Sequence, residues 1–117
     1  RLPDKSDSEK AAKEEAVQAA TLFAIETPFR VMEVSLQSMD VARAMADIGM
    51  SASASDAGVA ALCARSAVMG AFLNVRINSG DLTDKTAVAD FEKRGQAIVE
   101  SAQTAETEIL SIVESKL

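Results

Sequence analysis

The chain has 117 residues, 48% of them apolar, which is enough for one folded domain with a modest core and too apolar for a disordered chain. Twelve basic and eighteen acidic side chains leave a formal charge of −6 without a basic cluster, which argues against nucleic acid and anionic membrane as partners. With no His, Trp or Tyr and one Cys, the chain cannot build Ser-His-Asp or Cys-His machinery, an intrachain disulfide or an aromatic stacking platform, and a Cys-based zinc site is not expected.

The first residue is Arg1 rather than Met, as expected of a processed chain or a piece of a longer one. Residues 1–7, RLPDKSD, read as a short extended entry. Ser6 and Glu9 form a capping-box pair that starts a helix near Ser8. The mixed charges over 4–15 predict a solvated helix face. Pro28 would ordinarily end or kink a helix. Yet Leu22, Ile25, Phe29, Met32, Leu36 and Met39 recur at steps of three and four, in one phase across the proline. An intervening loop would lose that phase, so one long helix over about 8–48, kinked at Pro28, is expected. Val34, Val41, Met45 and Ile48 form a second apolar edge, which places this helix between layers or at a subunit interface. Gly49 is its stop.

Residues 50–54 read as a loop, after which Ser55 or Asp56 caps a helix that ends near Asn78, stopped by Ser79 and Gly80. Ala57, Ala60, Ala64, Ala67 and Ala71 share one face of it, continued by Asn74 and Asn78, with Val59, Leu62, Met69 and Leu73 opposite. A helix apolar almost all round belongs at the centre of a bundle. Cys63 reads as a small buried hydrophobe and the methionines as core filler. Asp84 caps a last helix over 85–116, whose apolar residues from 88 to 112 make a narrow seam beneath a charged outer face. No segment alternates like a strand, and no apolar run approaches membrane-spanning length. One thiol without a signal peptide fits a reducing, cytoplasmic setting. The expectation is an all-α single domain over 1–117, an antiparallel bundle of long helices. Three helices make an awkward core for one subunit, so a homodimer is expected to complete it.

A few polar residues on the central helix are candidates for chemistry. Asp56 is either a cap or a ligand-binding carboxylate. A helix N-terminus favours negative charge, which suits accepting hydrogen bonds from an aminopyrimidine edge. Ser55 can share either role. Asn74 and Asn78, one turn apart, are either an interhelical hydrogen bond or a pair of amides that orients a polar ligand. Arg65 and Arg76, three turns apart, face either acidic neighbours or an anion such as a ligand carboxylate.

Three segments taken together carry a family resemblance. They are RLPDKSDSE at 1–9, AIETPFRVMEVSL at 24–36 with its proline, and SDAGVAALCARSAVMGAFLNVRINSGDL at 55–82 with its SDAG and LNVRIN signatures. In order and spacing they resemble the formiminotetrahydrofolate cyclodeaminase and methenyltetrahydrofolate cyclohydrolase family, which includes the C-terminal domain of formiminotransferase-cyclodeaminase. The resemblance covers essentially the whole chain. It implies an all-α, homodimeric, cytosolic enzyme acting on a tetrahydrofolate one-carbon adduct, with no cofactor beyond that substrate. The reaction would be closure of 5-formiminotetrahydrofolate with release of ammonia, or hydrolysis of 5,10-methenyltetrahydrofolate to the 10-formyl compound. The positions that match the motifs are Ser55, Asp56, Gly58, Asn74, Arg76 and Asn78. The resemblance supplies positions only; from side-chain chemistry Asp56 is expected as the catalytic residue, holding the pterin or a catalytic water together with Ser55. The same chemistry puts Asn74 and Asn78 beside the one-carbon bridge, and Arg76 or Arg65 at the glutamate tail. Two departures stand out. The family's Gly-Asn-x-Asn loop is here Gly49, Met50, Ser51, Ala52, and the family domain begins well upstream of RLP. They raise the alternative of a non-catalytic helical dimer or a degenerate fragment of such an enzyme.

Overall fold

The computed structural model describes residues 6–117. Most of the extended entry expected over residues 1–7 lies outside the described residues. The first helix opens as its capping residue requires: the Ser6 hydroxyl accepts from the Glu9 N–H at 3.1 Å. This helix, α1, runs over Asp7–Ile48, 42 residues, unbroken at Pro28. A proline has no N–H to offer, so the carbonyl four residues back, that of Ala24, loses its helical donor. The lost bond is replaced from another helix, where Asn78 Nδ2 donates to the Ala24 carbonyl at 3.0 Å. One turn of helix without its own ladder bond is thereby satisfied. Gly49 ends α1, and a Cβ there would collide with the Met45 carbonyl that the Gly49 N–H meets at 2.9 Å.

A 3-10 turn, Ser51–Ser53, leads into α2, Ala54–Ser79. Here the expectation is corrected. Ser53 occupies the N-cap position without a side-chain hydrogen bond, and Ser55 and Asp56 lie inside the first turn. The third helix, α3, spans Lys85–Ser115, and the Asp84 carboxylate accepts from Ala87 N–H at 3.1 Å as its cap.

The helices alternate in direction and pack as a slab. Ile25, Met32 and Met39 of α1, Val68, Phe72 and Val75 of α2, and Val99 and Ile109 of α3 form the core. Ala57, Ala61, Ala64 and Ala71 are buried, so α2 turns a small-residue edge inward where backbones can approach closely. Gly95 gives α3 the same closeness: a Cβ there would sit 2.9 Å from Phe72 Cδ1 and closer still to Cε1. Ion pairs pin α3 along its flanks, Arg43 to Glu108, Arg65 to Glu106 and Arg76 to Glu92.

The all-α class is as expected, but the burial is one-sided. The molecule measures 68 × 24 × 16 Å with a radius of gyration of 19.5 Å. A compact chain of this length would have about 13 Å. One broad side of the α1–α2 layer is covered by α3. On the other side, the second apolar edge of α1 is open, with Val34 47%, Val41 65%, Met45 50% and Ile48 82% exposed. Val59, Leu62 and Leu73 of α2 are exposed as well, so α2 is central only from the side of α3. Cys63 is exposed rather than buried, and Met45 and Met50 fill no core. The expectation on membrane-spanning length also needs correction: Ser51–Ser79 is long and apolar enough to cross a bilayer by length and composition. Its alanines raise the average hydropathy, and a third of its most apolar stretch is buried within the fold.

Candidate functional site

The site candidates divide between the two ends of α2. Ser55 and Asp56 stand exposed in its first turn, at the narrow turn from α1. Asn74, Arg76 and Asn78 stand in its last turns. With a rise of 1.5 Å per residue, Asp56 lies about 27 Å from Asn74 and about 33 Å from Asn78 along the helix axis. One chain therefore does not bring the SDAG and LNVRIN residues together.

At the C-terminal end, the interhelical reading of Asn78 holds, because its amide nitrogen is engaged by Ala24. Asn78 and Asp81 border a groove of about 290 Å³ against Thr21 and Ala24 of α1. Asn74 is exposed one turn earlier, and no hydrogen bond holds its side chain among the described residues. A carboxylate that sequence reasoning passed over, Asp81, thus joins Asn78 at this groove. Gln18 is a second omission. Its amide donates to the Asp81 carbonyl at 3.1 Å and accepts from the Thr83 N–H at 2.9 Å, tying the α2–α3 loop to α1. No local signal marks it, since both partners lie more than sixty residues away.

Arg76 follows the ion-pair reading. It binds Glu92 bidentately, Nη2 to Oε1 at 2.5 Å and Nε to Oε2 at 3.0 Å, with its guanidinium 4.0 Å above the Phe72 ring. The shared hydrogen bonds raise the Arg76 pKa and lower that of Glu92. Ser79, Lys85 and Glu92 border an adjoining groove of about 440 Å³ with Arg76. A ligand carboxylate would meet two cations there, but Arg76 would have to exchange Glu92 for it. Arg65 pairs with Glu106 at 3.6 Å, its buried Nε falling short of a hydrogen bond.

The N-terminal end is sparser. The 3-10 turn before Asp56 presents Met50 at 75% exposure, with Ser51 and Ala52 also exposed. Gly58 is buried against Leu110 and Val113, and a Cβ there would make ordinary contacts at 3.5 Å. Packing within this chain does not demand that glycine. Lys116 closes the same end, donating from Nζ to the Ala46 and Asp47 carbonyls at 2.5 and 2.7 Å, where the C-terminus of α1 favours positive charge. Among the described residues no three metal-ligating side chains cluster.

Comparison with known proteins assigns the sequence to a family. The sequence matches the family described as formiminotransferase-cyclodeaminase over residues 1–113. It is 32% identical over 116 residues to the methenyltetrahydrofolate cyclohydrolase of Methylorubrum extorquens, covering 99% of this chain and 56% of that protein. It is 28% identical over 116 residues to the formimidoyltransferase-cyclodeaminase of Sus scrofa, covering 99% of this chain and 21% of the longer one. The rat formimidoyltransferase-cyclodeaminase is 27% identical over the same length, with 21% of it covered. The chain thus spans about half of the bacterial relative and a fifth of the mammalian ones. Its relatives are named for folate one-carbon reactions, and the chain belongs to the formiminotransferase-cyclodeaminase family.

Proposed function

We propose that the chain acts on a tetrahydrofolate one-carbon adduct, either 5-formimino- or 5,10-methenyltetrahydrofolate. The observation that carries this reading is the match to the family over residues 1–113, which takes in both signature segments. In the first reaction N10 attacks the formimino carbon and the imino nitrogen leaves as ammonia once protonated. In the second, water adds to the bridge carbon, the bond to N5 breaks, and a proton is released with the 10-formyl product. Both are redox-neutral additions to the one-carbon group followed by loss of a nitrogen leaving group, with proton transfers alongside, so no cofactor beyond the folate is assigned, and a cytoplasmic homodimer is the setting.

In this reading Asp56 is the catalytic residue. Its exposed carboxylate in the first turn of α2 accepts hydrogen bonds from the pterin edge or from the attacking water, with Ser55 beside it. Asn74 supplies an amide that no neighbour holds. Asn78 offers the groove what remains of its amide after the Ala24 bond. Arg76 holds the glutamate tail by trading Glu92 for a ligand carboxylate.

Calorimetric titration with 5-formyltetrahydrofolate, a stable mimic of both substrates, tests the reading. Saturable binding that Asp56→Ala abolishes is the expected result. A well-folded chain that binds no folate would instead support a non-catalytic helical dimer. The loop before α2 favours that second reading, because Met50 and Ala52 offer no side-chain amide where the family's loop carries two.

A further inference from the structure

We infer that the groove between α1 and α3 at Phe29 and Phe91 binds an organic cation with a planar guanidinium head, and that Arg94 of this chain occupies the place until such a ligand displaces it. The groove holds about 330 Å³ and is lined by Glu26, Phe29, Arg30, Glu33, Phe91 and Arg94. That volume is at the lower end of small-molecule sites. None of these residues enters the folate reading, so the two stand or fall separately.

The floor of the groove is aromatic. The ring centroids of Phe29 and Phe91 lie 5.4 Å apart, with their planes at 58°. Tilted rings form a corner, and the face of each ring carries the negative end of its quadrupole. The chain's own guanidinium sits there: Arg94 Cζ is 4.5 Å from the Phe29 centroid and 5.7 Å from that of Phe91. Both distances are within the reach of a cation–π contact, about 6 Å. The chemistry that the corner accepts is therefore visible in its present occupant.

The walls carry surplus negative charge. Glu26 and Glu33 flank Phe29 and Arg30 by about one turn on either side, roughly 10 Å apart along the α1 axis. Arg30 faces Glu33 at 3.7 Å, and Arg94 donates to Asp90 at 3.1 Å. Among the described residues no hydrogen bond or ion pair engages Glu26. Three carboxylates thus meet two guanidinium groups, and the charge left over is that of Glu26. An incoming cation is attracted by that surplus and an incoming anion is repelled.

Arg94 is exchangeable, whereas the floor is not. Its side chain is 49% exposed, and exposed side chains change rotamer within nanoseconds. Asp90, one turn back on α3, keeps its charge paired when it leaves the rings. Phe29 is 3% exposed and fixed in the core. A ligand guanidinium replaces Arg94 like for like. An ammonium is a more strongly hydrated point charge and stacks less well on a ring.

The probe is agmatine, a guanidinium on an alkyl chain. It is titrated into the folded chain at constant ionic strength, with NMR detection of the Phe29 and Phe91 ring protons and the Arg94 Nε–H. Saturable shifts of all three are expected. Cadaverine, an ammonium analogue of similar length, should bind more than about threefold more weakly. Arg94→Ala removes the tethered competitor and should tighten agmatine binding more than about threefold. That sign separates a displaced occupant from a packing residue, whose loss would leave the affinity unchanged or lower. Phe91→Leu keeps the apolar bulk but loses the ring face, and should weaken binding more than about threefold at unchanged helix content. If Phe91→Leu does not fold, Glu26→Gln at an exposed position gives the same loss through charge alone. The proposal is overturned if neither the wild-type chain nor Arg94→Ala shows saturable shifts. It is overturned as well by unchanged or weaker binding in Arg94→Ala, or by equal affinity for cadaverine. Saturation by benzoate and not by agmatine would also overturn it, because the groove would then take an anion through Arg30 and Arg94.

Discussion

The outer side of α3 and the outer side of the α1–α2 layer are made to different rules. Along α3 the large apolar residues point inward, and among the described residues none of that helix is exposed. Ion pairs and caps complete its margin. On α1 and α2 the same apolar residue types stand in solvent at helical spacing. A helix whose apolar stripe is as wide as one neighbour is finished by that neighbour. On α1 and α2 a further apolar stripe remains that none of the described helices covers. Adjacent residues of α2 sharpen the contrast. Phe72 is 2% exposed against α3, whereas Leu73, the next residue, is 64% exposed.

That pair sets the largest expected effect. Phe72→Ala should destabilise the chain by about 3–5 kcal/mol, because it removes a close-packed ring from the core. Leu73→Ala, measured at a chain concentration low enough to exclude association, should stay within about 0.5 kcal/mol. Urea denaturation of both variants is the measurement. Equal costs would erase the distinction between the two sides. Glycines carry the comparison further. Gly95→Ala drives a methyl into the buried Phe72 ring and should lose about 1–3 kcal/mol. Gly70→Ala meets nothing and should gain about 0.5–1 kcal/mol from helix propensity in a single chain. The same substitution is thus expected to have opposite signs on the two sides.

The next effect tests the joint between α1 and α2. Asn78→Leu should cost about 1–3 kcal/mol, since it leaves the Ala24 carbonyl without a donor. Pro28→Ala restores the helical N–H to that carbonyl. In its background the cost of losing Asn78 should fall by about 1 kcal/mol in a double-mutant cycle. Additive costs would mean that Asn78 does not compensate for the proline. They would return its amide to the ligand-binding role.

What was legible in the sequence follows the same division. The unbroken run of α1 through Pro28 could be read because its apolar phase crosses the proline, and α3 because its seam is narrow and its outer face charged. The ion-pair reading of Arg65 and Arg76 needed only acidic residues on the next helix. What misled was the inference from apolar to buried. Cys63, Val59, Leu62 and Leu73 are apolar by sequence, but residue type does not say which neighbour covers a side chain, and here no part of the described chain does. The start of α2 was misplaced because a 3-10 turn passes into it, and the side chain that fills the cap position makes no bond. Gln18 and Lys116 were invisible because their partners are backbone atoms far along the chain. For the site, residue types and positions could be read. Their separation by the length of α2 became clear only once both signatures were placed on one straight helix.

The smallest expected effect lies at the margin that α3 completes. Hydrogen bonds from Arg76 hold the Glu92 carboxyl below its ordinary value of 4.5. A carboxyl lowered by folding binds its proton more weakly in the folded chain than in the unfolded one. Its contribution is therefore fully present above about pH 4.5 and is lost as the pH falls through the lower folded value. Glu92→Gln should remove that part of the acid-side slope and leave the rest of the stability curve in place. Both side chains are about half exposed, so added salt should flatten the wild-type slope toward that of the variant. Denaturation midpoints across pH 3–6 at low and high salt measure both. A slope that survived high salt would mean that the pair is shielded from solvent, which the open margin of α3 does not allow.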